Sequence, residues 1–228
     1  MARLIEINDT FTVRCDDALS PAVSAEVEQK VDRIWQDAIT KNPSLFDGET
    51  LCVSSISAFE MDCYRVPYRF VYAKLPQFLP AAVSGVLVSG KKIFFGERSR
   101  AVTSEKGKLE LVPSGGLADA EYRGQLLKEL KEEINIKSEM VNAIKPLCCV
   151  EDDRVVDICC IIELRCAPVE VLAQFKADEY TSLGCMTLKE LAGAVGDDER
   201  AWVPASVLLI RHLEQLAARG WDFSNSQE

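Results

Sequence analysis

Residues 128–136 read Lys-Glu-Leu-Lys-Glu-Glu-Ile-Asn-Ile, and no other stretch restricts this chain as much. Leu126, Leu127, Leu130 and Ile134 recur at helical spacing, which predicts a helix laid on an apolar core. Glu129, Glu132 and Glu133 then share a helix face. Like charges at that spacing repel each other, so stability alone does not select them. A divalent cation turns the repulsion into coordination, because hard cations take oxygen ligands. The plain alternative is a solvated face: Glu is a good helix former, and Lys128 pairs with Glu132 at i, i+4. Upstream, Pro113-Ser114-Gly115-Gly116 reads as a flexible turn ahead of the helix. Gly115 and Gly116 allow a backbone to lie close to a ligand or metal. A Gly-Gly turn followed by such a helix suits a metal and a phosphate.

These residues resemble the signature of the Nudix hydrolases. Glu129, Leu130, Glu132, Glu133 and Ile136 match the second half of that signature. Lys128 stands where the family has Arg, and Asn135 where it has Gly. Asn tolerates the left-handed backbone conformation, so the second change is mild. From Gly116 to Lys128 the segment is two residues shorter than the family pattern. The family's upstream Glu has no clean counterpart, and Asp119 or Glu121 stands in its region. A wider resemblance runs through Ile34-Trp35, Asn42 to Gly48, Phe94 to Arg100, Gly115-Gly116 and the Glu helix ending at Asn135. It is to the Nudix branch that hydrolyses UDP-glucose and related UDP-sugars.

The resemblance implies a mixed sheet flanked by helices, an α/β (α+β) fold. It also implies Mg²⁺ or Mn²⁺ held by Glu129, Glu132 and Glu133 with Gly116 beside it. Those Glu are then the catalytic residues of a diphosphate hydrolase (pyrophosphatase). The substrate is a nucleoside diphosphate linked to another group, and a UDP-sugar would give UMP and a sugar 1-phosphate. Two alternatives stay open. One is another diphosphate such as ADP-ribose. The other is a non-catalytic Nudix-fold module that binds a nucleotide or protein, or serves as half of a homodimer.

Charge narrows the partners. The chain of 228 residues carries a net charge of −10, which argues against a nucleic-acid polymer or an anionic membrane. A small phosphate ligand remains compatible, because a bound metal supplies positive charge locally. Nine cysteines, including the adjacent pairs Cys148-Cys149 and Cys159-Cys160, sit in apolar runs without Cys-x-x-Cys spacing. They read as reduced, buried small hydrophobes of a cytoplasmic protein. The single His212 lies in a Leu-rich helix, which disfavours a histidine metal site or a Ser-His-Asp triad. The N-terminal residues lack the apolar core of a signal peptide, and no run has the length of a membrane span.

The remaining elements follow from periodicity. Residues 1–15 alternate as a strand or hairpin, and Ser24 caps a helix that Asn42-Pro43 stops. Residues 50–61 and 64–75 read as strands, 81–88 as a buried strand, and 93–98 as its hairpin partner across Gly90. Residues 144–150 and 155–164 form two further strands around an acidic turn, and 184–188 another. Helices fall at 169–175, 188–195 and 204–219. This order divides the chain into an N-terminal α+β extension, 1–80, and a Nudix-like catalytic domain, 81–228.

Substrate-binding candidates lie outside the Glu helix. Arg98 and Arg100 stand at a strand end, where they suit phosphate oxygens or a sheet-edge salt bridge. Arg65 and Arg69 are interleaved with Tyr64 and Tyr68, a pattern for a nucleotide or for plain core. Glu151 and Asp152 in the acidic turn, and Asp157 in the strand after it, are candidates for a further carboxylate. Asp157 lies among Val155, Val156 and Ile158, a poor place for an unpartnered charge.

Overall fold

The computed structural model describes residues 2–102 and 104–221. The first half runs β1 (Arg3–Glu6), β2 (Thr12–Cys15), α1 (Ala25–Lys41), β3 (Glu49–Ile56), β4 (Glu60–Pro67), α2 (Tyr68–Tyr72), β5 (Ala81–Ser89) and β6 (Lys92–Arg98). The second runs β7 (Leu109–Leu111), β8 (Ser114–Gly116), α3 (Tyr122–Ile134), β9 (Val141–Glu151), β10 (Val156–Leu164), α4 (Pro168–Gln174), β11 (Tyr180–Met186), α5 (Leu188–Asp197) and α6 (Pro204–Ala218).

The strands form a mixed sheet flanked by helices. Its order is β1-β9-β10-β5-β6-β11, with β7 added to β6 and β8 to β5. β10 lies parallel to β5, while the remaining pairs of this sheet are antiparallel. Side chains alternate across each strand, so the sheet has two apolar faces. Val83 and Leu87 of β5 with Ile158 and Cys160 of β10 face Leu126, Leu130 and Ile134 of α3. Val86, Val88, Cys159 and Ile161 face the other way, onto Leu191 of α5 and Ile210 and Leu213 of α6. Both faces are covered because both are apolar. Among the described residues no helix is long and apolar enough to cross a membrane.

A second sheet, β2-β4-β3, carries α1 and α2. Its Leu51, Met61 and Cys63 enter the same core as α3. The first fifteen residues are not a hairpin: β1 pairs with β9 of the main sheet and β2 with β4 of the small one. The main sheet therefore takes a strand from the N-terminal segment. The strand expected over 64–75 ends at Pro67, which has no N–H for the ladder, and the chain turns into α2. The last strand is longer than its sequence signal, Tyr180–Met186 rather than 184–188, because pairing with β6 supplies what local pattern does not.

Ser114–Gly116 overturns the expectation of a flexible turn. It is a short strand paired to β5, with Gly115 opposite Val83 and Gly116 opposite Ala82. Neither glycine has a positive φ. Gly85 of β5 lets this segment approach: a Cβ there would lie 2.4 Å from Pro113 Cδ.

Candidate active site

α3 presents its three glutamates at three depths. Tyr122, Leu126, Leu130 and Ile134 form the buried row against the sheet. Glu133 follows Leu126 by seven residues, nearly two full turns, so it returns to the buried face and is only 3 % exposed. Glu129 is half-buried beside it, and Glu132 rotates out to solvent. The common face expected from spacing is therefore a gradient. Asn135 ends the helix in the left-handed region at φ 59°, and the Ile136 N–H reaches back to the Leu130 carbonyl at 2.9 Å. The Asn135 amide also donates to the Gln174 carbonyl at 3.0 Å, tying this end to α4.

β8 closes on the glutamates. The Ser114 N–H donates to Glu133 Oε2 at 3.1 Å. A Cβ on Gly115 would lie 2.2 Å from Glu129 Oε1 and 2.3 Å from its Cδ. Gly115 leaves the space over its α-carbon to the Glu129 carboxylate, which a Cβ there would displace. At Gly116 a Cβ would meet nothing within 4 Å. The Gln125 amide donates to Glu129 Oε1 one turn along the helix.

Burial pushes the Glu133 carboxyl up to about 9, opposed in part by the Ser114 N–H. The charges that act most on it are all negative, namely Glu129, Glu179 and Glu110. Glu129 is also raised, chiefly by burial, against the pull of Gln125. A buried carboxyl whose leading charged neighbours are acids is costly to ionise, and a cation removes that cost. The donor set is all oxygen and negative in excess, which fits Mg²⁺ or Mn²⁺ in chemistry. Among the described residues, however, no three acidic, thiol or imidazole groups converge closely enough to hold a metal ion. Glu132 is exposed, and its charge acts on Glu129.

The other candidates are distributed more widely. Arg98 is largely buried in an ion pair with Glu110, and its Nε donates to the Ser104 carbonyl at 3.3 Å. Arg100 is exposed. Arg65 pairs with Asp17 at 3.4 Å, and Arg69 with Asp47 at 2.5 Å and Asp32 at 3.3 Å, all within the N-terminal segment. Asp157 alternates with Val156 and Ile158, so it faces α5 and α6 rather than α3. There it accepts from the Ser84 hydroxyl at 3.1 Å, and burial pushes it up to about 7. The sheet thus separates Asp157 from the Glu helix. The acidic turn is held by its own bonds: Glu151 to Arg3 at 2.6 Å, and Asp152 to Arg154 at 3.2 Å.

Sequence reading missed the second half of the cluster. Glu110 and Tyr180 come from β7 and β11, on either side of β6. The only local hint was the charge in the alternation Leu109-Glu110-Leu111. Glu179 precedes β11 in a stretch with no pattern, and Ser114 reads as a turn residue.

No family model matches the sequence, and no curated protein matches it. Comparison with solved structures does find relatives in shape. The crystal structure of DR0079 from Deinococcus radiodurans is 13 % identical, with a TM-score of 0.54 over 72 % of this chain and 98 % of that one. This likeness is one of fold. A mutT/nudix family protein from Listeria innocua is 15 % identical over 62 % of this chain and 95 % of its own, TM-score 0.46. The NUDIX domain of Shewanella oneidensis NrtR, solved with ADP ribose, is 18 % identical over 63 % and 89 %, TM-score 0.46.

Proposed function

We propose that this chain is a Nudix-type hydrolase that cleaves a nucleoside diphosphate linked to another group, with Mg²⁺ or Mn²⁺ as its cofactor. The observation that carries the reading is Glu133: a carboxyl buried at 3 % exposure, beside Glu129, whose leading charged neighbours are all acidic. Ionising such a group is costly without a neighbouring cation, which makes it a candidate for one. Glu129 and Glu133 would hold the cation, and Glu132 would join them by a change of rotamer. When bound, the cation supplies positive charge that stabilises negative charge developing on phosphate oxygens.

The protein's own groups do the rest. The Ser114 N–H holds one oxygen of Glu133 at 3.1 Å. Gly115 keeps the space over its α-carbon for the Glu129 carboxylate. The buried row of α3 anchors both glutamates to the sheet, so their spacing is set by a rigid element.

Within this class we favour a UDP-sugar, giving UMP and a sugar 1-phosphate. The support is the resemblance through Trp35 and Asn42–Gly48, together with the position of the N-terminal segment. The Leu51 N–H donates to the Leu117 carbonyl at 2.8 Å, directly after Gly116, so β3 borders the approach to α3. A segment placed there can wall a pocket and select a base or sugar by hydrogen bonds. A panel of nucleoside diphosphate derivatives with Mg²⁺ or Mn²⁺, read by released phosphomonoester, tests both levels. UDP-glucose or UDP-galactose is expected to exceed ADP-ribose and nucleoside triphosphates in kcat/KM. Equal values would remove the UDP-sugar assignment. Turnover by Glu133→Gln at the parent rate would remove the metal-site assignment.

A further inference from the structure

The main sheet has two edge strands, and they differ. β1 forms one edge with four residues and a charge at each end, Arg3 and Glu6. Short, charged strands blunt an edge against further pairing. β11 forms the other with seven residues, and Tyr180–Met186 contains neither a charge nor a proline. β6 pairs with one side of it. Among the described residues, no group outside β6 hydrogen-bonds the backbone of residues 182–186. α5 runs beside this edge: Cys185 and Met186 border a shallow groove with Lys189, Gly193 and Asp197. Those three α5 residues stand at steps of four on one exposed helix face. Gly193 has no positive φ, and a Cβ there would meet nothing within 4 Å. Glycine is unfavourable inside a helix, and no contact within the chain calls for it here. The charges of the groove, Lys92, Lys189, Glu190 and Asp197, cancel in a chain of net charge −10. Lys92 pairs with Glu190 at 3.0 Å, while Lys189 and Asp197 make no ion pair among the described residues.

We propose that the β11 edge is the interface of a two-fold homodimer, in which β11 pairs antiparallel with its copy and α5 packs on α5 across Gly193. A two-fold axis normal to the sheet joins the strands into one continuous sheet. It also keeps both α5 helices on the same side and runs them antiparallel. Gly193 is the midpoint between Lys189 and Asp197, so an axis passing it sets Lys189 of each copy against Asp197 of the other. The missing side chain lets the two helix backbones approach. Self-complementary charge selects a second copy over an unrelated strand. Elsewhere a chain of net charge −10 repels its own kind, and this neutral groove is where two copies can meet. The inference is independent of the cation reading, because none of these residues belongs to the acidic site.

The test is the molar mass of the full chain by sedimentation equilibrium over about 1–100 μM, with amide hydrogen exchange at both ends of that range. At the upper end the parent is expected at twice the 25.3 kDa of one chain. Residues 182–186 are expected to be better protected there than at the lower end. Lys189→Asp sets like charges opposite each other at two places and is expected to weaken dimerisation roughly tenfold. Lys189→Asp combined with Asp197→Lys reverses both members of each pair and is expected to restore it. Lys30→Asp, the same charge change at an exposed position of α1, is expected to leave the dimer as it is. Gly193→Gln is expected to stay folded, since its side chain enters open space, and to be monomeric. A monomeric parent overturns the proposal, as does a dimer in which residues 182–186 gain no protection. So does a folded Gly193→Gln or Lys189→Asp that dimerises like the parent, a double reversal that fails to restore the dimer, or an equal loss in Lys30→Asp.

Discussion

Glu133→Gln separates the two states of the site. The substitution keeps the side-chain shape and an oxygen for the Ser114 N–H, and it removes the charge. In the metal-free protein the Glu133 carboxyl stands at about 9 against an ordinary 4.5. The folded form therefore favours the proton. This contribution is fully present below about pH 4.5 and is lost as pH rises to about 9. At pH 7 the parent has given up roughly 3 kcal/mol through this one group, at about 1.4 kcal/mol per pH unit. The glutamine cannot ionise and does not incur the loss. In EDTA at pH 7 the variant is therefore expected to melt roughly 6–12 °C above the parent, using about 2–4 °C per kcal/mol for a chain of this size. Near pH 4 the two should coincide. Burial also raises Glu129 and Asp157, so the parent's own slope is composite and the difference between parent and variant isolates Glu133. Millimolar Mg²⁺ or Mn²⁺ should then raise the melting temperature of the parent and not of the variant, because a cation that binds only the native state stabilises it by mass action. Melting curves at several pH values, with EDTA and with cation, supply the data. A variant less stable than the parent at pH 8 in EDTA, or an equal cation response in both, would refute the reasoning.

The remaining expectations concern the same surfaces. Gly115→Ala should cost little stability, since the obstructing atoms are the far end of the Glu129 side chain, yet displace that carboxylate and reduce kcat/KM at least tenfold. Gly116→Ala, with open space around it, should leave the activity within twofold; steady-state kinetics on the two variants compare them directly. Glu132→Gln, at an exposed position, should leave the melting temperature in EDTA within a degree or two, because surface substitutions rarely exceed about 0.5 kcal/mol, while lowering Mn²⁺ affinity in a titration. Leu130→Ala, in the buried row of α3, should lose about 2–5 kcal/mol in a urea unfolding experiment, since the cavity would open where the helix meets the sheet.

Much of this molecule was legible along the chain. The period of Leu126, Leu130 and Ile134 placed α3, the Asn135 stop carried its left-handed geometry, and the apolar runs placed β5, β9 and β10. These features are local: a period, a cap or a run is complete within a few residues. The composition of the site was equally visible, because carboxylates at 129, 132 and 133 are a property of one helix. Tertiary structure decided how deep each one lies. Helical rotation carried Glu133 under β8 and Glu132 out to water, and only the packed sheet determined which side of the helix is inside. Gly115 looked like a hinge and is a contact surface, because its role depends on an atom of residue 129 brought over it by the fold. Asp157 looked available to the site and lies across the sheet from it, since a strand sends alternate residues to opposite faces and sequence does not say which face a helix will cover. Tyr180 lies far along the chain from Glu110 and Ser114, so they carry no shared local signal and are brought near through the strands around β5 and β6. Sequence determined the helix and its charge; long-range pairing determined which of those charges lost their water, and that loss is what raises the Glu133 and Glu129 carboxyls.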